Sequence, residues 1–284
     1  PDKAVQFVFR NTTCTWGEPL IMAMDVGHGY GANAIAAAAA ASNQDKDLSS
    51  STALPTLEKR DGFLFDCVDL CIEEGSIICV LGENASGKST LLRLLAKRET
   101  PPLEGDIHHA QGVTIGYFDP QEVDTMLYDD DNNKQQDGAT AVTWTPLSWL
   151  QKRFPTKSEQ DLRGELTSFG LDPRQAVTNI RFLSGGEKSR LLLANVMLPD
   201  PQVLIMDEPT SHLDVESVEA LIYGLQQWNG TLIMVSHDAN FIRSLEQSPS
   251  RTTTCHVIVP EEGKVKYVPG GIDFYLSSFL LKEK

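Results

Sequence analysis

The chain has 284 residues, 41% of them hydrophobic, and a formal net charge of −15 at pH 7. That length allows one or two domains and a sizeable core, but no window approaches the roughly 18 consecutive apolar residues of a membrane helix. The acidic balance, densest at Asp129–Asp131, argues against a non-specific nucleic-acid binder, which needs a basic face.

The first residue is Pro1, with neither a methionine nor a basic-then-apolar signal segment, so the expectation is a piece of a longer protein. Residues 5–9 (Val-Gln-Phe-Val-Phe) alternate as a strand does, and Ile21–Val26 reads as a second strand. Residues 31–61 carry six consecutive alanines, Ala36–Ala41, and then Ser49–Ser51. Hexa-alanine favours helix but has no apolar face to bury, and the segment reads as a mobile, low-complexity insert. Structure resumes at Phe63; Ser76–Leu81 reads as a buried strand and Leu91–Leu95 as a helix. Tyr117 to Thr145 is loop-rich, and a helical segment over about 146–169 is divided near Pro155. A helix from Ser184 to about Met197 precedes strand 203–206, helix 215–227 and strand 231–235. That β-α-β order implies parallel pairing with a right-handed crossover. A hairpin turning near Glu262-Gly263 and a helix over Phe274–Leu281 close the sequence.

Five cysteines (Cys14, Cys67, Cys71, Cys79 and Cys255) have no paired C-x-x-C spacing, and Cys67 and Cys71 lie in the apolar stretch Phe63–Ile72. The expectation is buried free thiols in a reducing compartment rather than half a metal site.

Three motifs carry chemistry. Gly82-Glu83-Asn84-Ala85-Ser86-Gly87-Lys88-Ser89-Thr90 fits G-x-x-x-x-G-K-[ST] between a strand and a helix. Its glycines let the backbone curl so that N–H groups face phosphate oxygens, and the following helix adds its positive end. Lys88 is placed to hold the β- and γ-phosphates, and the Ser89 hydroxyl to coordinate Mg²⁺. Further on, Val203–Met206 ends in Asp207-Glu208. A carboxylate ending a buried strand is costly unless it meets a cation, so Asp207 is assigned to Mg²⁺ and Glu208, one residue beyond, to the attacking water as general base. Third, Ser184-Gly185-Gly186-Glu187-Lys188 opens a helix as a second anion site, with Ser184 and the backbone of Gly186 as donors. One loop already cradles the phosphates, so the second serves the γ-phosphate of another nucleotide.

Together and in this order, the motifs resemble the ATP-binding-cassette (ABC) superfamily, whose members close two such domains over ATP. The resemblance implies an α/β fold: an ABC-type P-loop ATPase cassette with a mixed sheet core, an antiparallel β region and a small helical lobe at about 122–183. It implies one nucleotide-binding domain over residues 1–284, with ATP and Mg²⁺ as cofactors and a second cassette as partner. It also gives His237 the role of switch histidine on the γ-phosphate, Tyr30 a stacking position on adenine, and Pro209–Asp214 the place of the D-loop.

The text narrows to the ABC-F group of soluble, ribosome-associated twin cassettes, and within it to the second cassette of a eukaryotic member. Gly116-Tyr117-Phe118 with Val123-Asp124, Leu162-Arg163 with Phe169-Gly170-Leu171, Val235–Asp238 with Phe241-Ile242, and Pro269-Gly270 with Asp273 and Tyr275 carry that likeness. It implies a cytoplasmic ATP hydrolase working on ribosomes, in translation control or biogenesis, with no membrane partner. Three positions depart from the family pattern. Ser211 replaces the D-loop asparagine, Glu187 the commoner glutamine, and Pro120 stands at the Q-loop glutamine's place, so Gln121, one residue late, takes that role towards Mg²⁺ and water. A transporter's nucleotide-binding domain shares the catalytic motifs and is the alternative, although its helical lobe is usually longer. A chromosome-maintenance ATPase needs hundreds of heptad residues between the first and second motifs, whereas Lys88 and Ser184 are 96 apart (184 − 88). An ATP-binding switch with negligible turnover is a third class, against which Glu208 argues.

Overall fold

The computed structural model describes residues 7–10, 19–31, 34–35, 62–99, 101–120, 144–247, 253–259, 263–269 and 271–280. Gln121, Asp129–Asp131, Cys14 and nearly all of the 31–61 insert lie outside the described residues.

Alternation builds the first sheet. Strand β2 (Phe63–Ile72) buries Phe63, Phe65, Val68, Leu70 and Ile72 and turns Cys67, Asp69 and Cys71 outward. It pairs antiparallel with β1 (Ile21–Gly29), whose other edge holds β4 (Glu104–His109). A bulge interrupts the β1–β2 register between Ala23 and Val26, with Asp25 and Cys67 both at positive φ. Cys67 and Cys71 are therefore exposed, contrary to the sequence expectation, because the outward face of β2 takes them. Partial burial, with Asp25 and Asp66 alongside, pushes the Cys67 thiol up to about 12, so it stays protonated and inert at neutral pH. Cys79 and Cys255 are the buried thiols, facing one another across two strands of the second sheet.

The central strands of that sheet are near-continuous apolar runs, as expected where both faces of a parallel sheet are covered. β3 (Ile77–Gly82), β5 (Ile115–Phe118), β6 (Val203–Asp207), β7 (Thr231–Val235), β8 (Thr253–Val259) and β9 (Lys264–Val268) form one mixed sheet. Its order is β5-β6-β7-β3-β8-β9, parallel except for β9. α1 (Lys88–Leu95) buries Leu91, Leu92, Leu94 and Leu95 between the two sheets. α4 (Gly185–Met197) and α5 (Val215–Gln227) contribute to the second core on the opposite face. The glycine loop, Asp207-Glu208 and His237 thus all emerge at the carboxyl ends of β3, β6 and β7, where open α/β sheets bind ligands.

Among the described residues of the expected helical lobe, α2 (Pro146–Arg153) comes first, started by a Thr145 capping box and Pro146 at the first turn. α3 (Glu159–Ser168) is capped by Ser158, and the chain breaks at Pro155 between them. Residues 7–10 are not a strand, yet their alternation survives as burial: Phe7 and Phe9 are inside and Val8 is outside. Phe7 stacks on Phe169 at 5.6 Å, and Phe9 meets both Phe169 (5.9 Å) and Trp228 (6.2 Å). Arg10 then pairs with the buried Glu165 at 2.6 Å. This short segment fastens the lobe to the body near α5.

α6 (Ala239–Glu246) follows β7, and α7 (Gly271–Tyr275) follows β9. Among the described residues no helix is long and apolar enough to cross a membrane.

Candidate nucleotide site

The glycine loop is built from left-handed residues. Gly82 (φ 144°), Ala85 (φ 62°) and Gly87 (φ 98°) turn the backbone repeatedly before α1 begins at Lys88. A Cβ on Gly87 would lie 3.0 Å from the Phe65 ring, so the loop sits directly against β2. The Ser86 hydroxyl is buried with no hydrogen-bond partner among the described residues, an orphan that a phosphate oxygen would satisfy. Lys88 is buried and donates to the carbonyls of Gly82 (2.9 Å) and Glu83 (2.6 Å). Burial lowers its proton affinity, while Glu208, Asp207 and Glu83 oppose that fall.

Asp207 ends β6 almost fully buried; desolvation raises its proton affinity, and a hydrogen bond from Ser89 opposes the rise. Ser89 and Asp207 therefore form the hard oxygen donor set that suits Mg²⁺. Glu208, the next residue, has the left-handed φ of 46°, which breaks the strand and swings its carboxylate aside. Its N–H still bonds Val235 O at 3.0 Å, anchoring it to β7. One carboxylate oxygen accepts the His237 N–H at 3.2 Å; the other lies 3.4 Å from His237 Nε2. Burial, the largest cause, raises the proton affinity of Glu208. Ser211 donates both its N–H (3.2 Å) and its hydroxyl (3.0 Å) to Glu208 O, closing the turn after β6.

A cavity of about 470 Å³ joins Lys88, Ser89, Asp207, Glu208 and His237, while Gly82, Glu83 and Ser86 of the loop do not line it. Tyr30, Leu64, Asn84, Ala85, Gly87, Lys88, Ser89, Thr90, Asp207, Glu208, Val235 and His237 line it. Tyr30 reaches it because β1 and β2 pair as far as Gly29 and Phe63, so the chain returns to the same point after the insert. Its hydroxyl lies 3.3 Å from both Thr90 Oγ1 and Glu99 Oε2, leaving the ring half-exposed at the mouth. Leu64 and Glu99 were not singled out by sequence, and Val235 only as part of the family likeness and not as a site residue; the alternation of β2 is the signal that places Leu64, and the strand end before His237 the one that places Val235.

Ser184, Gly185 and Gly186 do not line this cavity. Ser184 is exposed and caps α4, accepting the Glu187 N–H at 3.3 Å while Glu187 accepts its own N–H at 2.6 Å. The second carboxylate oxygen of Glu187 is held by the Gln175 amide. The charge that distinguishes Glu187 from glutamine is thus spent on the helix cap. Gly186 packs near His212 O and Asp214, so the start of α4 and the D-loop share one surface.

Residues 65–211 match the family described as ABC transporter. The chain belongs to the ABC transporter family. As an ABC cassette it is an ATP-binding and ATP-hydrolysing domain, and the loop, strand-end carboxylates and cavity fit that chemistry. The cassette is 35% identical over 222 residues to the rat "ATP-binding cassette sub-family F member 3", covering 78% of this chain and 28% of that protein. It is 33% identical over 217 residues to "Protein GCN20" of Saccharomyces cerevisiae, covering 76% and 26%. "Probable ATP-binding protein YheS" of Escherichia coli K12 is 34% identical over 215 residues, covering 76% and 30%. The cassette spans less than a third of the length of these relatives. Its fold is shared with the dimeric post-hydrolysis state of the cassette MJ0796 bound to ADP and Pi, with a TM-score of 0.59, 18% identity, and coverage of 88% and 99%.

Proposed function

We propose that the chain is one nucleotide-binding domain of a soluble twin-cassette ABC-F ATPase, and specifically the second cassette of a eukaryotic member. It binds Mg-ATP in the cavity at the glycine loop and hydrolyses it when a second cassette closes over that cavity. The observation that carries this reading is the separation of the two anion sites. Lys88 and the loop residues Asn84, Ala85, Gly87, Ser89 and Thr90 line the cavity, whereas Ser184 opens α4 on an exposed surface outside it. One cassette therefore offers two half-sites, each completed by a partner.

Within one half-site, Lys88 and the loop N–H groups hold the β- and γ-phosphates, and Tyr30 stacks on the base at the mouth. Ser89 and Asp207 hold Mg²⁺, which when bound offsets the charge on the phosphates. Glu208 accepts the proton of the attacking water at its carboxylate; burial makes it a stronger base than a free glutamate. His237 fixes that carboxylate through its N–H and presents its ring beside it. Closure and opening of the two cassettes acts on ribosomes, in translation control or ribosome assembly, in the cytoplasm. The naming of the rat relative as a sub-family F member supports the ABC-F part of this reading.

The test has two parts. The isolated cassette binds ATP but hydrolyses it slowly, and its specific activity falls on dilution; high, concentration-independent activity rejects the half-site reading. In the full-length protein, Glu208→Gln accumulates on ribosomes in ATP. Co-sedimentation with membranes instead would move the chain to the transporter alternative.

A further inference from the structure

Tyr30, at the mouth of the cavity, is held from two sides. One side is packing. His28, two residues earlier in the chain and buried, meets the Tyr30 ring edge-on, with 5.3 Å between centroids and 89° between planes. Beyond His28 the Phe65 ring stacks at 6.5 Å and 30°, and Phe65 in turn backs Gly87 of the glycine loop. Burial, the largest cause, lowers the proton affinity of His28 while the charge of Glu99 opposes the fall, so at pH 7 His28 is a neutral aromatic spacer.

The other side is the hydroxyl, which lies 3.3 Å from Thr90 Oγ1 and 3.3 Å from Glu99 Oε2. These two groups come from opposite ends of α1. Thr90 is in its first turn. Past the last turn Lys97 takes the left-handed φ of 57° and the Arg98 N–H bonds Arg93 O at 2.9 Å, a reversal that brings Glu99 back along the helix. A hydroxyl donating to a carboxylate makes a charge-assisted hydrogen bond, stronger than a neutral pair. Glu99 does not line the cavity, whereas Thr90 does, together with Lys88 and Ser89 of the same helix. Tyr30 is 53% exposed, so packing covers less than half of it and the hydroxyl contacts supply the remaining restraint.

We propose that Glu99 is a positioning residue for the nucleobase: by gripping the Tyr30 hydroxyl beside Thr90, it clamps the stacking ring to the helix of the phosphate cradle and sets how much the base adds to ATP affinity. A ring already held in one orientation spares the ligand the cost of ordering it. This role rests on the reading of Tyr30 as the stacking residue.

The experiment is calorimetry on the 284-residue chain with Mg²⁺, comparing a non-hydrolysable ATP analogue with inorganic tripolyphosphate. Tripolyphosphate carries phosphate charge and no base, so the ratio of the two affinities isolates the share of the base. The general effect of removing an acidic charge cancels in that ratio. Glu99→Ala should lower it by roughly two- to tenfold, the scale on which one net hydrogen bond biases a two-state ring. Tyr30→Phe, which keeps the ring and removes the hydroxyl, should lower it alike, and the double variant should fall no further than Tyr30→Phe alone. A fall of less than twofold in Glu99→Ala overturns the clamp, as does a double variant in which the two losses add. Tyr30→Ala tests the underlying reading separately. An unchanged ratio there removes Tyr30 from the base site and this inference with it, whereas a fall there beside an unchanged Glu99→Ala removes the clamp alone.

Discussion

Glu208 meets His237 at two points, accepting its backbone N–H at 3.2 Å on one oxygen and lying 3.4 Å from its ring Nε2 with the other. The backbone of Glu208 can make this turn only at φ 46°, a conformation costly to a residue with a Cβ. The glutamate is therefore aimed by the strand pair β6–β7 rather than by its own preferences.

Replacing it tests that aim. Glu208→Gln keeps the size and can still accept the His237 N–H, but it cannot take a proton from water. Hydrolysis should fall by about 10²–10⁴-fold with ATP affinity retained, as followed by phosphate release and by calorimetry.

The same residue sets a pH dependence. Burial raises the folded proton affinity of Glu208, so its basic form is lost on acidification at a pH above that of an ordinary glutamate. The hydrolysis rate should fall with one-proton slope as pH drops through that raised value. The residual rate of Glu208→Gln should lack the inflection in a pH–rate profile.

Lys88→Ala removes the buried cation facing the phosphates. A charged hydrogen bond contributes about 1.5–3 kcal/mol, so Mg-ATP affinity should weaken by roughly 10- to 100-fold in calorimetry, and unchanged affinity would reject the cradle.

Asp207 places stability and function in opposition. Desolvation raises its folded proton affinity, so it favours the fold while protonated and loses that contribution as pH rises through the folded value. At pH 7 it is a cost. Asp207→Asn should accordingly raise Tm without nucleotide, and should abolish the further rise that Mg²⁺ with a non-hydrolysable analogue gives the wild type. Differential scanning fluorimetry reads both.

Gly224 tests the N-terminal fastening. Alanine in a helix ordinarily gains up to about 1 kcal/mol over glycine, but here its Cβ would lie 2.5 Å from the Phe9 ring and 2.9 Å from Phe7 O. Overpacking of this kind costs about 1–3 kcal/mol, so Gly224→Ala should destabilise the cassette. A higher denaturation midpoint would show that the segment shifts freely.

The parts legible in the sequence were those where one period or one motif decides the structure. The buried runs of β6 and β7 and the helix between them fall where apolar length and turn residues put them. β4 was not legible, because Glu-Gly-Asp-Ile-His-His is polar on an exposed edge and its partner β1 is distant in sequence. β5 was absorbed into a loop-rich stretch because only four residues pair. Phe7 and Phe9 show the reverse case, where alternation correctly gave the buried face while backbone pairing was absent. In the site, motif residues are contiguous and readable. The meeting of Tyr30, Thr90 and Glu99 depends on where strand pairing returns the chain, which a linear pattern does not carry.

The meeting of Gly29 and Gly62 has a use beyond this molecule. A Cβ on Gly29 would run into Gly62 O, and one on Gly62 would press on Ala34, so the two ends of the long connection are clasped before it begins. With the ends already fixed by β1 and β2, each doubling of the intervening length costs only about 0.6 kcal/mol in closure entropy. That makes the connection a natural splice point: a fluorescent reporter grafted there would ride one residue from Tyr30 and could announce ATP arrival without a label in the catalytic groups.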